Sequence, residues 1–117
     1  MSLCSFEGAS GRYYDYSVLD FKNRAAFPIG GGNFVFTRHS GRGIEVVCVG
    51  ETDSMWSFFV STRLWETAKL EYGATTPYIH PNPDQGARKM ESLDIVQKYR
   101  PPMNEDVAQE PGSSTAA

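Results

Sequence analysis

The sequence predicts a small α+β domain, an antiparallel β-sheet packed with two or more helices. Two observations carry this reading. Residues 33–38 (NFVFTR) and 44–49 (IEVVCV) are β-branched and aromatic runs joined by a glycine-bearing linker, which is a hairpin signal. Further on, residues 54–72 and 85–99 carry apolar side chains near helical spacing, with one short strand-like run between them. A hairpin and further strands packed on two helices enclose a single core, and 117 residues are one domain's length.

Each element follows in chain order. Residues 12–19 (RYYDYSVL) are aromatic and β-branched and read as the first strand. Residues 20–33 form a connection ending in Gly30-Gly31-Gly32. A glycine-rich phosphate loop needs a helix after it, and here a strand follows, so the run reads as a connection only. The linker HSGRG joins the two hairpin strands, and Gly50 ends the second. Asp53 or Ser54 caps a helix over 54–72, with Met55, Phe59, Leu64, Trp65 and Ala68 toward the core and Gly73 just past its end. Residues 75–80 (TTPYIH) are a short strand, which Pro77 places at a sheet edge or makes irregular. Asp84 caps a second helix over 85–99, whose Ala87, Met90, Leu93, Val96 and Tyr99 form the buried stripe, and Pro101-Pro102 stops it. The domain is thus 1–104. Residues 105–117 (EDVAQEPGSSTAA) are small, polar and acidic and read as a disordered tail.

Composition limits the function classes. The chain is 40% hydrophobic and 13% aromatic, enough for a core. It has no run of about 18 apolar residues, so no transmembrane segment is expected. The stretch MSLCSFEGASG lacks the basic and apolar regions of a secretory signal, so a cytoplasmic location is expected. Cys4 and Cys48 are too few for a disulfide framework or a zinc site, and Cys48 reads as a reduced core residue. His39 reads as a solvated turn residue and His80 as a packed or hydrogen-bonded one, so no metal site is predicted. Residues 1–104 hold all 11 Lys and Arg and 11 of the 14 Asp and Glu, so the net charge of −3 arises wholly in the tail. Lys22, Arg24, Arg38 and Arg42 lie around the hairpin, but Glu45, Glu51 and Asp53 follow, and the face reads as mixed charge. A neutral body is a weak footprint for nucleic acid.

The segments GGNFVF, VVCVGETDS and RKMESLDIVQKYRPPMN, with Gly73-Ala74-Thr75, His80, Arg88, Asp94-Ile95 and the run from Tyr99 to Asn104, resemble the GIY-YIG nucleases, in particular a group of small bacterial members. The resemblance spans about residues 13–104. It implies a GIY-YIG-like fold and, in working members, cleavage of one phosphodiester strand. There a tyrosine helps activate water, an arginine stabilises phosphate charge and a glutamate holds a divalent metal. Each role has a physical requirement: an acid–base group or metal, a cation with forked donors, and hard anionic oxygen.

At the positions that match, those groups are replaced. The first signature tyrosine matches Phe34, which lacks the hydroxyl, and the second matches Cys48. The arginine position is Phe58 and the glutamate position is Ser92. Two displaced candidates remain. Arg63 lies five residues beyond Phe58, about 140° away around one continuous helix. Glu91 adjoins Ser92, about 100° away, and should point off the metal position. The resemblance therefore implies a non-catalytic relative with no cofactor, acting as a protein-interaction module or accessory subunit. The alternative is a metal-dependent endonuclease or nucleic-acid-binding protein using Arg63, Glu91 and magnesium. The run Met55-Trp56-Ser57-Phe58-Phe59-Val60 is apolar all round a helix, so part of it is expected at the surface, with Trp56, Phe58 and Phe59 as a protein-binding face.

Overall fold

The computed structural model describes residues 3–61 and 63–109, which form five strands and four helices. The strands are β1 (Leu3–Glu7), β2 (Tyr13–Val18), β3 (Gly32–Ser40), β4 (Gly43–Thr52) and β5 (Thr76–Pro81). The helices are α1 (Met55–Val60), α2 (Arg63–Tyr72), α3 (Gln85–Tyr99) and α4 (Pro102–Gln109), with one 3₁₀ turn at Arg24–Ala26. The sheet is wholly antiparallel, in the order β1-β2-β5-β3-β4. The α+β class is as the sequence predicts, and no helix among the described residues is long and apolar enough to cross a membrane.

Side-chain alternation along the strands divides the core into two clusters, one on each face of the sheet. Phe34, Phe36, Val47, Cys48 and Ile79 pack with Met55, Phe59, Trp65, Ala68 and Met103, so α1, α2 and the start of α4 cover one face. Phe6, Tyr16, Val35, Val46, Val49 and Tyr78 pack with Ile95, so α3 covers the other. A register shift between Phe36 and Thr37 lets the consecutive Val47 and Cys48 join one cluster while Val46 and Val49 join the other.

Several expectations are corrected. Strand β1 is not evident in LCSFE, which is too short for its alternation to stand out. The segment 54–72 is two helices rather than one. After Val60, the Ser61 hydroxyl donates back to the Phe58 carbonyl (2.9 Å), a local bond that competes with helix continuation. Strand β5 lies inside the sheet in spite of Pro77. The β2–β5 ladder covers only Tyr78 and Ile79, and beyond it the Pro77 carbonyl still accepts from the Leu19 N–H (3.0 Å), so the missing donor falls at the ladder's end. Pro101-Pro102 ends α3 but also opens α4, since proline is suited to a first helical turn. Residues 105–109 of the expected tail are therefore helical, and the rest of that tail lies outside the described residues.

The stripe expected to bury α3 is not the buried one. Met90 and Leu93 are 73% and 58% exposed, and Tyr99 is partly exposed, whereas Arg88, Glu91 and Ile95 face the sheet. A repeat of three drifts by about 60° per step round a helix, while 88, 91 and 95 keep one face.

Candidate functional site

The first candidate locus is an aromatic stack at the hairpin. Phe34 pairs across the ladder with Gly50, whose missing side chain gives the ring its place: a Cβ there would overlap the Phe34 ring. Phe58 lies over Phe34 with ring centroids 4.9 Å apart and planes at 26°. Cys48 is buried on the same face, and desolvation pushes its thiol up to about 12. It is therefore a protonated, apolar group at neutral pH. Phe59 is 1% exposed and meets Phe21, Phe27, Phe34 and Phe36. That corrects its place in the expected binding face: Phe59 belongs to the core. Trp56 is 45% exposed and Phe58 half-buried, so these two remain at the surface. The Met55 N–H donates to the Gly30 carbonyl (2.9 Å), which puts the exposed Ile29 on the segment adjoining Trp56.

Arg63 opens α2 and is exposed. Because the helix breaks before it, the expected angle of about 140° from Phe58 does not apply. Arg63 and Phe58 instead line one depression of about 420 Å³ with Ser61, Leu64 and Thr67.

The second locus is polar and lies on the opposite face, under α3. Glu91 is 5% exposed. Its Oε2 accepts from the Tyr16 hydroxyl (2.5 Å) and lies 2.8 Å from His80 Nδ1, the geometry of an Nδ1–H donor. Burial first, then the Glu91 charge, drives the Tyr16 phenol far above its ordinary range, so it is a permanent donor. Beside this trio the buried Asn33 donates through Nδ2 to the Arg88 carbonyl (2.9 Å) and to Ser92 Oγ (3.0 Å). Arg88, 3% exposed, donates from Nε to Glu51 (2.8 Å), from Nη1 to the carbonyls of Asn82 (2.9 Å) and Pro83 (3.0 Å), and from Nη2 to Asp53. Gly31 gives this guanidinium its room, since a Cβ there would overlap Nη1. Within the glycine run, Gly31 thus makes way for Arg88 and Gly32 for Met55.

The fold brings Phe34, Cys48 and Phe58 together, with Arg63 beside them, and places Ser92 and Glu91 across the sheet. The carried-over positions therefore do not meet in one site. Glu91 is directed inward, into bonds with Tyr16 and His80, where the sequence reading only turned it away from Ser92. His80 is hydrogen-bonded as expected, whereas His39 lies on β3 rather than in a turn, with Nε2 3.3 Å from the Tyr78 hydroxyl. Among the described residues no three His, Cys, Asp or Glu side chains are grouped to hold a metal ion. Sequence reasoning missed Tyr16 and Asn33, and named Arg88 only as a mark of the resemblance. The available signal was the spacing of Arg88, Glu91 and Ile95, which follows a helix face more closely than the apolar stripe did.

Compared with family profiles, curated proteins and solved structures, the chain matches none.

Proposed function

We propose that this chain is a non-catalytic relative of the GIY-YIG nucleases that acts as a protein-interaction module or accessory subunit of a larger assembly. The observation that carries the reading is the stack of Phe58 on Phe34, in the same apolar cluster as a buried, protonated Cys48. The positions for a phenol, a second phenol and a guanidinium hold Phe34, Cys48 and Phe58, none of which is a cation or exchanges a proton near neutral pH. The displaced candidates do not substitute as a pair. Arg63 lies on one side of the sheet, while Glu91 is buried on the other and already bonded to Tyr16 and His80. Magnesium chemistry would need both within reach of one scissile phosphate.

The partner face in this reading is Trp56 with Phe58, flanked by Ile29 and by the Arg63 depression. Exposed aromatic side chains beside an arginine are the residue types that anchor protein interfaces. The free, unpaired cysteines Cys4 and Cys48 fit a cytoplasmic protein. The test is co-purification from native lysate with the parent and with Trp56→Ser. Trp56 is exposed and belongs to neither core cluster, so this change leaves the core intact. A partner recovered with the parent and lost with Trp56→Ser supports the face; equal recovery with both removes it.

A further inference from the structure

We propose that the outer edge of β1 pairs antiparallel with β1 of a second copy of this chain, giving a closed two-fold dimer with a continuous sheet. The sheet has two edges, β1 and β4, and they are treated differently. On β4, Asn104 acts as a substitute strand: its Oδ1 accepts from the Val49 N–H (2.8 Å) and its Nδ2 donates to the Val49 carbonyl (2.8 Å). The Asn104 amide thus blocks this edge at Val49, and an edge interrupted in this way resists pairing with another chain. Among the described residues no such group meets the backbone of β1.

The hydrogen-bond parity of the first hairpin identifies the groups that β1 offers. Pairs in the β1–β2 ladder run from Leu3↔Ser17 to Glu7↔Tyr13, and beyond them the Gly8 N–H donates to the Arg12 carbonyl (2.8 Å). Bonding and non-bonding pairs alternate along an antiparallel ladder. Gly8, Phe6 and Cys4 therefore direct their backbone groups at β2, and Leu3, Ser5 and Glu7 direct theirs outward.

That set is self-complementary. Centred on Ser5, antiparallel pairing puts Ser5 opposite Ser5, and Leu3 opposite Glu7, of the second copy. Every outward N–H and C=O then meets a partner, and no two like charges face each other. The residues between them, Cys4 and Phe6, lie on the α3 face, where Phe6 is core and Cys4 is partly buried against it. Pairing extends that cluster across the two-fold axis. One open edge and one protected edge close at two copies; two open edges would propagate into a fibre. The Trp56 face lies over β3 and β4, away from β1, so the dimer presents two copies of it. The dimer does not depend on that face being a binding site.

Sedimentation over a concentration series, with three Ser5 variants, tests this. The parent is expected to reach twice the chain mass of 13.0 kDa. Ser5→Pro removes the outward N–H and the side-chain bond to Asp15 but no backbone bond to β2, and should weaken the dimer by at least about tenfold. Ser5→Ala loses the side-chain bond to Asp15 yet keeps the N–H, and should dimerise as the parent does. If Ser5→Pro does not fold, register is read from disulfide formation. With Cys4→Ser in place, the Ser5→Cys variant should cross-link to its own copy on mild oxidation, because directly opposite Cα atoms lie about 5.5 Å apart. A parent that stays monomeric at every concentration, a Ser5→Pro dimer as tight as the parent's, or a Ser5→Cys dimer that does not cross-link would each overturn the proposal.

Discussion

Tyr16 and Glu91 show how one side chain fixes its neighbour's state. A carboxylate this deeply buried is costly unless its oxygens accept hydrogen bonds, and Tyr16 with His80 supply them. Tyr16→Phe should therefore destabilise the fold by about 1–3 kcal/mol, measured by urea denaturation with the slope unchanged. A loss below a few tenths of a kcal/mol would show that water replaces the phenol freely. Asp94 is the exposed counterpart. Hydrogen bonds from Ser10 and Tyr14 hold its carboxyl below the ordinary value of 3.8. A depressed acid contributes stability that is complete above its unfolded value and is lost as pH falls through the folded one. The acid limb of the stability curve below pH 3.8 should flatten in Asp94→Asn. Cys48, raised to about 12, should resist alkylation in native buffer and react only on unfolding.

Among the elements, α4 is the one whose role was hidden. The sequence shows Pro101-Pro102 as a stop, which it is for α3, and nothing in PPMN announces that Asn104 will pair with the β4 backbone. That bond depends on where the fold brings residue 104, far from residue 49 in sequence. Asn104→Ala removes two hydrogen bonds to Val49 and should cost about 1–3 kcal/mol. Hydrogen exchange at the Val49 amide should accelerate with it; an unchanged rate would mean that the edge is protected by other means. The hairpin, both helix caps and the helix end at Gly73 were legible because each rests on local chemistry: the capping side chains of Ser54 and Asp84, and the left-handed Gly73. The interior place of β5 was not, because Pro77 is judged by local rules, whereas its tolerance comes from the short ladder with β2.

Across the whole molecule, the legible part of the candidate site was the apolar half. Phe34, Cys48 and Phe58 declare their chemistry by residue type, and the stack of Phe58 on Phe34 has its room because Gly50 lies opposite Phe34. The polar half was illegible because the residue types of Arg88 and Glu91 do not show that both face inward until the sheet is placed against them. The division between two faces bears on function. The displaced pair that a nuclease reading relies on, Arg63 and Glu91, lies on opposite sides of one sheet. A neutral body adds little steering toward phosphate, so fluorescence anisotropy at about 150 mM salt should show only weak, non-specific nucleic-acid binding. The most direct measurement is cleavage itself. Purified protein is incubated with plasmid, single-stranded DNA and RNA in magnesium or manganese, alongside Glu91→Ala. The account predicts no metal-dependent product above the buffer control. Metal-dependent cutting by the parent that disappears in Glu91→Ala would contradict it.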